Sequence, residues 1–170
     1  MVLTRFKIGL ILLIALLFLF DADLFGADAG KILKTLEKEF RVKKSELTLE
    51  HLSVNGSLKA CVDDVFLVKL NDEATGYVID ATGKGRHDEF EFLIFINLKK
   101  DVEFVRIVNY ISDHGGEIAS RRWLDQFIGY SGRDLKYGED IQAISGATIS
   151  ANSVVSRIKE IIGQLKAADL

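Results

Sequence analysis

Apolar residues recur at helical spacing at both ends of the chain. Residues 31–40 place four of them on one face of a predicted helix: Ile32, Leu33, Leu36 and Phe40. The last helix is the clearest prediction, because its apolar residues follow a spacing of three and four positions: Ala151, Val154, Val155, Ile158, Ile161, Ile162 and Leu165. Leu47, Leu49 and Leu52 favour, less clearly, a second short helix within residues 43–52.

The middle of the chain changes to the pattern of strands. We predict strands, in chain order, at 65–70, 76–79, 90–98 and 103–110. Turns are predicted between them at 71–73, 83–85 and 99–101. Residues 90–98 are apolar at nearly every position, which is typical of a strand covered on both faces. Because connections this short favour antiparallel neighbours, we expect a meander.

Helical signals return before the final helix. Ser120 is placed to cap a helix and Gly129 to end it. The apolar face of that helix consists of Trp123, Leu124, Phe127 and Ile128. The predicted fold class is therefore α+β, a curved antiparallel sheet with packed helices.

Residues 1–29 have the layout of a secretory signal peptide. Arg5 and Lys7 precede an apolar run at 8–20, and Ala27-Asp28-Ala29 supplies the small-residue pattern that signal peptidase recognises. A membrane-spanning helix needs about 18–20 apolar residues, so cleavage is the main expectation and retention as an N-terminal anchor is the alternative. Either outcome places the remainder in the periplasm or on the outer face of the cytoplasmic membrane.

Composition narrows the classes of function. The 170 residues suit one domain, with 48% hydrophobic and 28% charged residues. A net charge of −3 offers no basic field for nucleic acid. Cys61 is the single cysteine, so we exclude an intrachain disulfide and interpret it as a small core residue. The spacing of the three histidines matches neither a zinc site nor a haem site.

The stretch just before the last helix carries the candidate chemistry. Ser145, Thr148 and Ser150 bring three hydroxyls, together with Gly146, to the point where the free N–H groups of a helix begin. Such a site favours an anion, because the amides point outward and the helix dipole adds about half a positive charge. A phosphate group suits this chemistry. The simpler interpretation is that one of the three hydroxyls caps the helix, although one cap needs only one hydroxyl.

Ser145-Gly146-Ala147-Thr148, followed by an amphipathic helix, resembles the signature of the FMN-binding domain family. That family includes the extracytoplasmic flavin subunits of the sodium-pumping NADH:quinone reductase and of the Rnf complex. The resemblance covers roughly residues 65–165. It implies FMN joined to Thr148 by a phosphoester, which a flavin transferase makes from FAD. It also implies that Ser145, Gly146, Ala147 and Ser150 contribute to the cofactor site.

A glycine-containing loop supports the resemblance. The family often has such a loop near the flavin ring, and residues 113–117, of sequence DHGGE, lie at the corresponding point. The common form in the family has Glu-Thr-Pro ahead of the glycines, so this loop is only similar. The resemblance implies that Gly115, Gly116 and Glu117 lie near the ring, and a plain glycine turn is the alternative.

One position departs from the family pattern. The family usually has an aspartate three residues before the serine of the motif, and Gln142 occupies that position here. If the transferase recognises that carboxylate, attachment to Thr148 would be inefficient or absent. The flavin would then bind noncovalently or not at all.

The resulting hypothesis is an exported FMN carrier that exchanges electrons with a membrane redox complex or a cytochrome. Residues 65–170 form its predicted FMN-binding domain, after an N-terminal helical segment at 30–64. A flavin-free sensory or interaction module of the same fold is one alternative, and an enzyme that reduces a small substrate is another. No pair of carboxylates suggests acid–base catalysis, so we favour an electron-transfer flavoprotein over a stand-alone catalyst.

Overall fold

A five-stranded antiparallel sheet lies at the centre of the computed structural model, which describes residues 28–110 and 116–167. The strands are β1 Leu47–His51, β2 Asp64–Leu70, β3 Glu73–Lys84, β4 Glu89–Asn97 and β5 Val102–Asn109, and they neighbour one another in chain order. The helices are α1 Asp28–Phe40, α2 Gly56–Lys59, α3 Arg121–Leu124 and α4 Thr148–Ala167. Short 3₁₀ helices occur at Lys44–Glu46, Gly116–Ala119 and Asp125–Phe127. The predicted α+β class and the antiparallel meander are confirmed.

The side chains of the central strands alternate between two apolar cores. On one face of the sheet, Leu93 and Phe95 of β4 belong to a cluster with Leu36 of α1. On the other face, Ile94 belongs to a larger cluster that includes Ile158 of α4. All of these side chains are buried. The prediction that residues 90–98 form a strand covered on both faces is therefore confirmed.

Two predicted turns agree with the structure and one is displaced. Asn71 and Asp72 both have positive φ, 49° and 66°, as in the tight turns whose twist suits a hairpin. The turn predicted at 83–85 is wrong in position, because Gly83 lies inside β3 opposite Phe90. A Cβ on Gly83 would lie 2.5 Å from the Phe90 ring, so the glycine makes room for that ring. The chain reverses at Gly85, whose N–H donates to Asp88 O at 2.8 Å.

The second short helix within residues 43–52 is a wrong prediction. After the 3₁₀ turn Lys44–Glu46, residues Leu47–His51 form β1, which pairs with β2 in the register Leu47↔Leu70 and Leu49↔Val68. Leu47 and Leu49 also satisfy the period of a strand, and Leu47 is buried in the core under α1. Segment 30–64 thus contributes a strand to the same sheet, while its division from 65–170 stays a prediction.

The helix around Trp123 is shorter than its apolar residues suggested. Ser120 Oγ accepts a hydrogen bond from Trp123 N at 3.4 Å, as a capping residue does. α3 ends at Leu124 and continues as a 3₁₀ turn to Phe127. Ile128 lies after the last helical residue, in extended geometry, and is 53% exposed. Its assignment to the buried face is therefore wrong. Gly129 follows with φ +76°.

An ion network joins α1 to β5 and to α3. Arg106 of β5 donates from Nε and Nη2 to the two carboxylate oxygens of Glu39, at 2.9 and 2.8 Å. Arg121 also pairs with Glu39, and Asp125 pairs with Arg106. Burial opposes ionisation of Glu39, but the hydrogen bonds and charge of Arg106, with those of Arg121, lower the pKa of its carboxyl.

The signal-peptide prediction concerns residues 1–29, of which residues 1–27 lie outside the described ranges. Among the residues that the structure describes, no helix combines the length and the apolar character needed to cross a bilayer. The same ranges hold no group of three His, Cys, Asp or Glu side chains arranged for a metal ion. Cys61 is 3% exposed, which confirms it as a core residue.

Candidate functional site

The first turn of α4 starts from a residue without a polar side chain. Ala151 N donates to Ala147 O at 2.9 Å, so Ala147 occupies the N-cap position. Alanine is less favourable there than Ser, Thr, Asp or Asn by about 0.5–2 kcal/mol, because it offers no acceptor to the first amides. The N–H groups of Thr148, Ile149 and Ser150 then belong to the set for which a helix has no internal acceptor.

The hydroxyls of the motif do not take over the capping role. Within the described part of the chain, the side chains of Ser145 and Thr148 make no hydrogen bond, and both residues are exposed. Ser150 Oγ lies 3.5 Å from the hydroxyl of Tyr110. The interpretation of this segment as an ordinary serine or threonine cap is therefore wrong. The start of α4 presents free amides and free hydroxyls together.

The motif residues divide between an exposed and a buried group. Ser145, Gly146 and Thr148 are exposed, and Gly146 has φ +80° with open space around the position of a Cβ. A side chain at Gly146 would be strained by the backbone conformation rather than by a neighbour. Ala147 and Ser150 are buried, at 3% and 5% exposure. These two anchor the first turn. Because Ala147 N already donates to Ile144 O at 3.3 Å, the pair offers a ligand only the backbone N–H of Ser150.

An open groove runs beside the motif. It has a volume of about 360 Å³ and is lined by Glu117, Ser120, Arg122, Trp123, Gln142, Ala143, Ile144 and Ser145. This volume lies within the range of roughly 300–1,000 Å³ that is usual for small-molecule sites. Ser145 is both the last lining residue in the chain and the first residue of the motif, which joins the groove to the start of α4.

The groove brings together two regions that the sequence separates. Glu117 and Ser145 were both candidate site residues, and they line the same groove. Gly116 begins the 3₁₀ helix Gly116–Ala119 and is exposed, but it is not among the lining residues. Gly115, with His114, lies outside the described residues. Glu117, Gly116 and the motif therefore remain candidate ligand contacts.

Side chains from two neighbouring segments hold the wall of the groove. Trp123 Nε1 donates to Gln142 O at 2.8 Å, and Gln142 N donates to Gln126 Oε1 at 2.8 Å. Two residues further on, Ile144 N donates to the hydroxyl of Tyr137 at 2.8 Å, and that hydroxyl faces Ile144 O at 3.4 Å. The backbone at 142–144 is thus fixed by contacts that reach across the fold.

The groove is amphipathic and carries one charge of each sign. Trp123 and Ile144 supply apolar surface, and Ser120 and Gln142 supply polar groups. Arg122 is exposed and makes no ion pair with any residue that the structure describes. The lining therefore offers a small ligand apolar contact, hydrogen-bonding groups and one charged group of each sign. Neither Arg122 nor Tyr137 was predicted from the sequence, because an exposed arginine and an isolated tyrosine belong to no recognisable motif.

No protein-family model matches the chain, and no curated protein matches it. Among solved structures, the chain is similar to the crystal structure of Shewanella oneidensis NqrC, with 16% sequence identity and a TM-score of 0.45. The likeness covers 69% of this chain and 70% of that chain. A likeness at this level assigns neither cofactor nor activity, which must be argued from the residues.

Proposed function

We propose that this protein is an exported FMN carrier, with FMN joined to Thr148, that exchanges electrons with a membrane-associated redox partner. The uncapped start of α4 is the observation that carries the proposal. Ala147 at the N-cap has no side-chain acceptor, and the hydroxyl-bearing residues Ser145 and Thr148 are exposed. A bound phosphate would accept from the free amides and compensate for the missing cap.

The resemblance of Ser145-Gly146-Ala147-Thr148 to the family motif favours FMN over other phosphate-bearing ligands. The groove beside Ser145 adds support, because its volume and mixed lining suit an isoalloxazine ring. Trp123 and Ile144 would supply apolar contact to a bound flavin, and Arg122 and Glu117 would supply charged groups. When bound, the flavin would supply the electron-carrying chemistry, and the protein would supply position and electrostatics.

Attachment of FMN to Thr148 would be a transfer reaction. The Thr148 hydroxyl oxygen would form a bond to the phosphorus on the FMN side of FAD. The bond from that phosphorus to the AMP phosphate oxygen would break, AMP would leave, and the hydroxyl proton would pass to the transferase or to solvent. The exposure of Thr148 supports access by such an enzyme. An ester would also prevent loss of the flavin after export.

The alternative with a specific basis is a flavin-free interaction module of the same fold. Gln142 supports it, because a neutral amide stands where the family usually has a carboxylate, and Gln142 lines the groove. Gln142→Asp separates the two alternatives. Under the carrier hypothesis this change would raise the yield of attachment or leave it unchanged. Under the module hypothesis the wild-type protein would stay colourless, even where Gln142→Asp takes up flavin.

The test is production of the full chain in a host that has a flavin transferase. We expect yellow protein whose flavin fluorescence stays with the polypeptide on a denaturing gel. Thr148→Ala should abolish that fluorescence and leave the fold intact. Thr35→Ala on α1 is the matched control, because among the described residues its hydroxyl bonds only to Lys31 O, within its own helix. Colourless wild-type protein would refute the carrier function, and recovery from the cytoplasmic fraction would refute export.

A further inference from the structure

We propose that Tyr137 is a positioning residue that fixes the groove wall and so orients Ser145 and the start of α4 toward the cofactor. This inference rests on the proposed function and adds a residue that no sequence motif marks. Tyr137 does not line the groove. It acts through the backbone of Ile144, which does.

The hydroxyl of Tyr137 contacts both polar backbone groups of one residue. It accepts from Ile144 N at 2.8 Å and donates toward Ile144 O at 3.4 Å. A single hydroxyl has the donor and the acceptor capacity for both contacts. This arrangement restrains rotation of the peptide groups on either side of Ile144, directly before Ser145.

Tyr137 has a rigid base from which to act. Its ring is half-buried against the large core cluster. The backbone of residues 137–141 forms a tight turn. Tyr137 pairs with Ile141 in a β-bridge, and Gly138 N donates to Ile141 O at 2.7 Å. Asp140 accepts from Lys136 N at 2.9 Å on the preceding side. The hydroxyl is therefore placed by structure independent of the motif.

The other contacts to the wall do not duplicate this one. Trp123 donates to the C=O of Gln142, and Gln126 accepts from the N–H of Gln142, two residues before Ile144. After Ile144, the next backbone contact is Ala147 N to Ile144 O at 3.3 Å, a long hydrogen bond to the same residue. Without the Tyr137 hydroxyl, the segment from Ala143 to Gly146 would lose its side-chain restraint, although the core beneath would remain packed.

Tyr137→Phe tests the inference, with Tyr77→Phe as the matched control. Tyr77 is also half-buried against the same core, and its hydroxyl makes no hydrogen bond with the described residues. Hydrogen exchange of the full chain without flavin gives the first measurement. We expect the Ile144 amide to exchange about tenfold faster in Tyr137→Phe, as for loss of a typical hydrogen bond, and to be unchanged in Tyr77→Phe. Equal protection in all three proteins would overturn the inference.

Attachment kinetics with flavin transferase and FAD give the second measurement. Because Tyr137 orients the acceptor segment without touching FAD, kcat should fall about tenfold while KM for FAD stays unchanged. A merely structural role would leave kcat for the folded protein unchanged, and that result would refute positioning. If wild-type protein takes no flavin, the proposed function fails, and the exchange experiment alone decides whether Tyr137 restrains the wall.

Discussion

Replacing Glu39 by glutamine should destabilise the fold and loosen the helix that lines the groove. Glu39 lies on α1, and its carboxylate joins Arg106 of β5 to Arg121 of α3. α3 also carries Arg122 and Trp123, which line the groove. The substitution keeps the size of the side chain and one acceptor oxygen, so its effect reports the charge of Glu39.

The size of the expected loss in stability follows from the burial of the ion pair between Glu39 and Arg106. The side chains of Glu39 and Arg106 are only 9% and 13% exposed. Breaking a buried pair costs about 3–5 kcal/mol when the partner is left uncompensated. Arg106 keeps Asp125 Oδ1 at 3.2 Å and Val105 O at 2.6 Å. Glutamine retains an acceptor oxygen for one of the two hydrogen bonds from Arg106, so we expect a loss of about 2 kcal/mol in the free energy of unfolding.

Urea unfolding monitored by circular dichroism gives that free energy. Glu50→Gln is the control, because its pair with Lys69 leaves Glu50 54% exposed and such surface pairs contribute about 1 kcal/mol or less. Equal effects of the two substitutions would refute the reasoning from burial. So would a loss below about 0.5 kcal/mol for Glu39→Gln, which lies under the range for a broken buried pair.

The same pair predicts the sign of a pH effect. The pKa of Glu39 is lower in the folded protein than its ordinary value, because Arg106 and Arg121 outweigh the opposing effect of burial. The contribution of Glu39 to the free energy of unfolding is therefore complete above its pKa in the unfolded chain, about 4.3. It is lost as the pH falls through the lower pKa of the folded protein. We expect the stability difference between wild type and Glu39→Gln to shrink below about pH 4. A difference that grows with acidification would contradict this.

Two further predictions concern backbone packing and the groove. Gly76→Ala should lower the free energy of unfolding by about 2 kcal/mol or more, because a Cβ there would lie 2.2 Å from Ile96 O. Gly163→Ala, in open space inside α4, should instead raise it by about 0.5–1 kcal/mol, and the reverse order in urea unfolding would contradict both. Arg122→Gln should weaken binding of free FMN about tenfold, by calorimetry on Thr148→Ala protein. Arg133→Gln, exposed and outside the groove lining, should not, and equal effects would remove Arg122 from the site.

The sequence predicted the elements whose apolar period is unambiguous. The spacing along α4 and the continuous apolar run of β4 each correspond to a single structure, so both predictions are confirmed. β1 was missed because Leu47, Leu49 and Leu52 fit a short helix as well as a strand. Only the pairing of Leu47 with Leu70 decides between them, and that contact is long-range.

The candidate site was predictable only where it is continuous in sequence. The motif at 145–148 stands out through its hydroxyls and glycine, whereas the groove is assembled from Glu117, α3 and residues 142–145. That assembly depends on contacts such as Trp123 Nε1 to Gln142 O, across 19 positions. The absence of a cap also needed the structure, because the hydrogen bond from Ala151 N to Ala147 O identifies Ala147 as the N-cap.

Peptide mass spectrometry of the protein, purified from a host with flavin transferase, shows whether FMN is joined to Thr148. Trypsin cleaves after Lys136 and Arg157, so one peptide carries the whole motif. With FMN esterified to Thr148, this peptide gains the mass of one FMN less one water, and fragmentation places the gain on Thr148. A peptide of unmodified mass from colourless protein would contradict the proposed attachment.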